Sequence, residues 1–249
     1  MTDEICPHCD GTGWRLAVTD GVEAVRRCEC AQGRLRRRLL EAAGIPARYE
    51  HCTLHSFDPM WPQEKTPGMA RSSTLPRAHR KVREFVDLFP HVDRGLLLMG
   101  PVGTGKTHLA VAALRALIED KGVRGRFTDF TSLVLEIQMT FDGSGSSREL
   151  LRPLIEADLL VLDELGAGKV TPWVRDLLYY LVNTRYLEGR VTVFTTNFVD
   201  APAANEESLA DRVSERIRSR LFEMCRVVQL TAGDYRRLVL ADTPGRSTP

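Results

Sequence analysis

The sequence predicts an α/β protein: a mostly parallel sheet covered by helices on both faces. Three observations carry that expectation. From about Arg80 onward, short apolar runs alternate with amphipathic segments, the pattern that βα units leave in a chain. DLLVLDEL (158–165) and VTVFTTN (191–197) read as buried strands, as a sheet covered on both faces requires. RGLLLMG (94–100) is closed by glycine and leads through a glycine-rich turn into a helical segment.

Taken in order, RGLLLMG is the first strand and THLAVAALRALIED (107–120) the amphipathic helix after it. GRFTDF (125–130) is a second strand, followed by helices at TSLVLEIQMTF (131–141) and SRELLRPLIEA (147–157). DLLVLDEL is the third strand. PWVRDLLYYLVNTRYLEG (172–189) begins with proline in its first turn and stops at glycine, the usual helix punctuation. VTVFTTN is the fourth strand. ESLADRVSERIRSRLFEMC (207–225) reads as one long charged amphipathic helix, and RVVQL (226–230) as the last strand. Upstream, 33–43 is helical, with Leu35, Leu39, Leu40 and Ala43 at helical spacing. Pro59, Pro62, Pro67, Pro76, Gly68 and a Ser-Ser-Thr cluster mark 53–78 as linker. The expected organisation is a small partner-interaction module at 1–52, the linker at 53–78, the α/β domain at 79–240 and a disordered tail at 241–249.

Composition narrows the class. The 249 residues are 43% hydrophobic and 27% charged, with a net charge of +1, which is ordinary globular composition without a field that demands nucleic acid. No apolar run approaches the ~18 residues of a membrane-spanning helix. MTDEICPHCD passes directly to cysteine without an apolar signal region, so the expected location is cytoplasmic, with thiols reduced rather than paired in disulfides.

Gly100-Pro101-Val102-Gly103-Thr104-Gly105-Lys106-Thr107 fits G-x-x-x-x-G-K-[ST]. Its glycines let successive backbone N–H groups turn toward phosphate oxygens, and the helix that follows offers its positive end. Lys106 can reach the β- and γ-phosphates, and the Thr107 hydroxyl can ligate Mg²⁺. Asp163 and Glu164 end an apolar strand, where one carboxylate can hold Mg²⁺ and the next can take a proton from water. Asn197 closes VTVFTTN and is placed either to orient that water or to form a plain turn. Arg216 and Arg220, four apart, share one helix face. Cys6-x2-Cys9 and Cys28-x-Cys30 are two close thiol pairs that suit tetrahedral Zn²⁺; unligated thiols and a redox dithiol are the other readings. His8 is a substitute ligand or a solvent-exposed histidine, and Cys52 and Cys225 read as packing residues. The run Arg34-Leu35-Arg36-Arg37-Arg38 is either a contact surface or a solvated helix face.

GPVGTGKTHLA, LLVLDELG, VTVFTTN, ERIRSRL and DYRR, preceded by IPARY (45–49) and HSF (55–57), resemble the AAA+ ATPases of the DnaC/DnaI helicase-loader and IstB transposition-ATPase group over about residues 45–240. The resemblance implies a P-loop sheet of order 5-1-4-3-2 with little or no lid. It implies ATP and Mg²⁺ held by 100–108, His108 included, with Asp163 as the magnesium carboxylate and Glu164 as the general base. It implies Asn197 as a sensor, Arg220 as an arginine finger donated to a neighbouring subunit, and Arg216 as its companion. Arg236 is the implied second sensor, with Arg237 the alternative. Loaders of the DnaI kind carry an N-terminal zinc domain that engages the helicase, so the implied partners are a hexameric replicative helicase, single-stranded DNA and further copies of this chain in the ATP state. The other implied role is that of an IstB-like regulator of transposition on duplex DNA. By position, Phe141 either stacks on a DNA base or packs in the core.

Overall fold

The computed structural model describes residues 6–19, 22–61, 74–140, 146–168 and 170–238. Five parallel strands build the central sheet: β3 (Gly95–Met99), β4 (Gly125–Asp129), β5 (Leu159–Asp163), β6 (Val191–Thr196) and β7 (Cys225–Gln229). Their spatial order is β4-β5-β6-β3-β7, which is 5-1-4-3-2 when they are counted from β3. An antiparallel hairpin of β1 (Trp14–Thr19) and β2 (Val22–Arg27) stands apart from this sheet.

Side chains alternate across a strand, and β3 serves two cores accordingly. Leu96 and Leu98 join one, with Leu159, Val161, Val193 and Val228. Leu97 and Met99 join the other, with Leu160, Leu162 and Phe194. The first is covered by α2 (Thr74–Leu88) and α3 (Lys106–Lys121), with the end of α1 (Glu29–Ala42) packed against it. The second is covered by α4 (Phe130–Met139), α5 (Ser147–Glu156), α6 (Pro172–Leu187), α7 (Leu209–Val213) and α8 (Glu215–Met224). A last short helix, α9 (Tyr235–Leu238), follows β7.

The structure departs from the sequence reading over 207–225 and over 53–78. The helix expected over 207–225 is broken at Ser214, whose φ is +86°. Leu209, Val213, Ile217 and Leu221 all remain buried in one core, so their spacing of four runs through the break and conceals it. The segment read as linker holds the start of α2, where Pro76 sits in the first turn, a position that needs no donor. Its earlier part is packed as well: Phe57 and Trp61 are buried with Ala43 and Cys52 against the sheet. Phe141 and the tail at 241–249 lie outside the described residues.

Among the described residues Arg185 is the largest fully buried side chain, 1% exposed. Its guanidinium donates to the carbonyls of Leu154, Ile155 and Ala157 at the end of α5, to the Val191 carbonyl and to the Thr192 hydroxyl. It thereby joins three elements through the negative end of a helix. Replacing it leaves these acceptors buried without a donor. Arg185→Leu is expected to lose at least about 3 kcal/mol in urea unfolding. Arg115→Leu, which breaks the surface pair with Glu119, should lose less than about 1 kcal/mol.

Candidate active site

The site forms at the carboxyl ends of β3, β5 and β6, where ligands gather in open α/β sheets. After β3 the backbone curls through Gly100 (φ +151°) and Gly103 (φ +77°). Neither position has room for a side chain: a Cβ would lie 1.9 Å from the Leu230 carbonyl at the first and 1.9 Å from Asp234 Oδ1 at the second. Lys106 opens α3 and is 7% exposed. Its ammonium donates to the Gly100 and Pro101 carbonyls at 2.8 and 2.7 Å. Burial pushes its pKa down to about 8, against the pull of Asp163 and Glu164.

Asp163 ends β5 and is 3% exposed. The Thr107 hydroxyl donates to its two oxygens at 3.0 and 3.1 Å, and the Thr195 hydroxyl donates to Oδ1. Burial raises the Asp163 pKa, opposed by these two hydroxyls. Neighbouring oxygens on an octahedral Mg²⁺ stand about 3.0 Å apart, so the Thr107–Asp163 pair fits that ion. Glu164 follows with φ +54°, a left-handed conformation that costs a non-glycine residue about 1 kcal/mol or more. Its N–H donates to Thr195 Oγ1 at 3.0 Å, and its side chain lines the cavity described next. Asn197, immediately beyond β6, lines it too.

That cavity measures about 420 Å³. It is lined by Lys106, Thr107, Glu164, Asn197 and Arg236, and by an aromatic wall of Tyr49, Phe57, Trp61 and Tyr235 with Arg48 and Asp58. Arg236 lines it and Arg237 does not. His108 reaches back from α3, its Nε2 3.0 Å from the Thr53 carbonyl and 3.2 Å from the Ser56 hydroxyl. It pins the segment that carries Phe57, and burial lowers its pKa. Sequence reasoning assigned no role to this aromatic wall. The IPARY and HSF runs were its one signal, since no spacing rule connects Tyr49 or Phe57 to a phosphate loop fifty residues on. Arg216 and Arg220 stand on α8 against α6 and line no part of the cavity.

A second cluster lies at the base of the β1–β2 hairpin. The sulfurs of Cys6, Cys9, Cys28 and Cys30 all lie within 4.8 Å of one another. Cys6 and Cys28 are 3.8 Å apart and Cys9 and Cys30 3.4 Å. Sulfurs on a tetrahedral Zn²⁺ stand about 3.8 Å apart, so the set could hold a metal ion of that kind. The Cys28 N–H donates to the Gly13 carbonyl and the Gly13 N–H to Cys9 Sγ, which brings the two thiol pairs together. His8 is exposed and stands outside the set.

Residues 72–240 match the family described as IstB-like ATP binding protein. The replicative helicase loader DnaC of Escherichia coli K12 is 30% identical over 74% of this chain and 68% of its own length. A putative insertion sequence ATP-binding protein of Sinorhizobium fredii is 30% identical over 78% of this chain and 60% of its own. A crystal structure of the DnaC helicase loader superposes with a TM-score of 0.62 at 30% identity, covering 74% of this chain and 99% of that one. With the phosphate loop, the buried aspartate and the sheet order all in place, the chain belongs to the IstB-like ATP-binding family of AAA+ proteins, as a homologue of the DnaC helicase loaders.

Proposed function

We propose that this protein is a cytoplasmic, ATP-hydrolysing loader of a hexameric replicative helicase. The supporting observation is the match to 99% of a solved DnaC loader chain, with Lys106, Thr107, Asp163 and Glu164 gathered at one cavity. Residues 1–52 engage the helicase, and 79–240 bind ATP, single-stranded DNA and neighbouring copies of the chain. Thr107 and Asp163 would hold Mg²⁺, which would supply charge neutralisation at the phosphates. Lys106 exchanges its carbonyl partners for phosphate oxygens. Glu164 takes a proton from a water oriented by Asn197. The water oxygen bonds to the γ-phosphorus as the bond to the β–γ bridging oxygen breaks, and ADP leaves with the electron pair. Arg236 meets the phosphates from the same chain and Arg220 from a neighbour. The aromatic wall from Tyr49 to Trp61 receives the base. The four cysteines hold Zn²⁺, which stiffens the helicase-binding module. Phe141 stacks on DNA.

A second reading, regulation of transposition on duplex DNA, draws on the IstB-like family match and the insertion-sequence relative. Bait protein separates the two. Glu164→Gln should keep ATP and Mg²⁺ bound while hydrolysing at least about a hundredfold more slowly. Immobilised with ATP, it should retain the replicative helicase from a lysate of the source cell, and release it when ATP is withheld. Retention of a transposase instead selects the second reading.

The Lys106 ammonium sits at about 8 before nucleotide arrives, and a triphosphate beside it raises that value. Binding therefore takes up a proton above pH 8. ATP affinity should fall about twofold from pH 7 to 8 and then by up to about tenfold per unit as the pH rises further. Lys106→Arg, charged throughout, should flatten the slope in a fluorescent-nucleotide titration.

Purified protein should carry one equivalent of zinc by metal analysis. Cys28→Ser should lose it, while the ATP-binding domain keeps its melting temperature.

A further inference from the structure

Two helices face each other with matched stripes outside the cavity. On α6, Tyr179, Asn183 and Tyr186 recur at i, i+4 and i+7; on α8, Arg216, Arg220 and Glu223 do the same. Arg216 lies over the Tyr179 ring at 5.4 Å. The Arg220 guanidinium lies 5.2 Å from the Tyr179 ring centre and 5.1 Å from that of Tyr186. It donates to Asn183 Oδ1 and, at 3.4 Å, to the Tyr179 hydroxyl. The Tyr186 hydroxyl donates to Glu223 Oε1 at 2.6 Å.

All the partners of Arg220 among the described residues are neutral. Its neighbour on the same helix, Arg218, is paired with Asp200 and Glu215, and Arg226 with Asp93. Glu223, one turn beyond Arg220, is engaged by a tyrosine hydroxyl instead of the guanidinium. Ring faces and an amide oxygen orient a cation without cancelling its charge. A carboxylate would orient it equally well and drain it. The arrangement suits an arginine that must be pre-ordered yet remain fully available to an anion.

We infer that Tyr179, Asn183 and Tyr186 are positioning residues that clamp the Arg220 guanidinium with its charge uncompensated, so that it meets the terminal phosphate of a neighbouring copy's nucleotide already ordered. This rests on the proposed trans role of Arg220. Tyr186 acts twice, as one ring of the clamp and as the group that keeps Glu223 off the finger.

Asn183→Asp tests it, because the shape is kept while the neutral acceptor becomes a carboxylate. In the full chain, kcat for ATP should fall at least about tenfold, a fraction of what an arginine finger contributes. ATP affinity should stay within about twofold, the sign of a group that acts only in turnover, and the melting temperature should hold or rise. Mixing Asn183→Asp with Lys106→Ala should restore part of the activity, since one interface then joins an intact site to an intact finger; a fold defect would not be rescued this way. Tyr186→Leu should also lose turnover. The double variant Tyr186→Phe, Glu223→Gln, which keeps the ring and adds no free carboxylate, should retain it. Full turnover by Asn183→Asp, with Arg220→Ala inactive, overturns the clamp and leaves the finger standing. Full turnover by Arg220→Ala overturns both. Loss of turnover in Asn183→Asp with an equal fall in melting temperature and no rescue on mixing also overturns the clamp, because the residue is then structural.

Discussion

Asp163 is a carboxylate held almost wholly out of water, and the geometry of the site follows from how it is satisfied. Two threonine hydroxyls reach it, Thr107 from the first turn of α3 and Thr195 from β6. An ionised carboxylate buried without such donors would be several kcal/mol too costly. The requirement ties the tips of β5 and β6 to the helix that follows β3. Thr195 then turns its oxygen to the Glu164 N–H, so the same contact sets the left-handed turn at Glu164. The phosphate loop and the two carboxylates proposed as magnesium ligand and base are thus positioned by one hydrogen-bond network rather than by three separate segments.

The aromatic lining of the cavity is built on a different principle. Residues 43–61 contribute little regular structure, yet Ala43, Cys52, Phe57 and Trp61 are buried against the sheet. The Phe127 N–H donates to the Ala43 carbonyl at 2.7 Å, extending the edge of β4. The His108 and His79 ring N–H groups donate to the Thr53 and Leu54 carbonyls, and Phe57 stacks on His79. A loop becomes a rigid cavity wall because its backbone groups find partners and its aromatic side chains find a core. The same stretch runs directly from α1, whose Arg36 donates to the Asp120 carbonyl at the far end of α3. The cysteine cluster and the nucleotide cavity are therefore joined through α1, packed at its end, and the stretch that follows it.

Charge is handled differently across the surface. Surface arginines such as Arg115, Arg124 and Arg212 meet aspartate or glutamate at 2.7–3.0 Å, and solvent screening keeps such pairs weak. Arg185 is buried among carbonyls, where it serves stability. Arg220 is held between rings, where its charge is left intact. One residue type is put to three uses, and the environment decides which.

The sequence by itself determined the sheet and the phosphate loop. Strands buried on both faces are short on charged residues and rich in apolar and β-branched ones, so 94–100, 158–165 and 191–197 declare themselves, and the loop motif is contiguous. Lys106, Thr107, Asp163, Glu164 and Asn197 were legible because each stands at a strand end or helix start that local pattern marks. Only the tertiary structure decided the rest. It brought Tyr49, Phe57 and Trp61 to the cavity, placed Arg236 rather than Arg237 in its lining, and set Arg220 against Tyr179 and Tyr186. It broke a helix at Ser214 whose apolar spacing continues unaltered. The physical reason is common to all four. Periodicity reports which face of an element is apolar, whereas a contact between residues far apart in the chain depends on how elements pack, and that leaves no mark on the spacing of either partner.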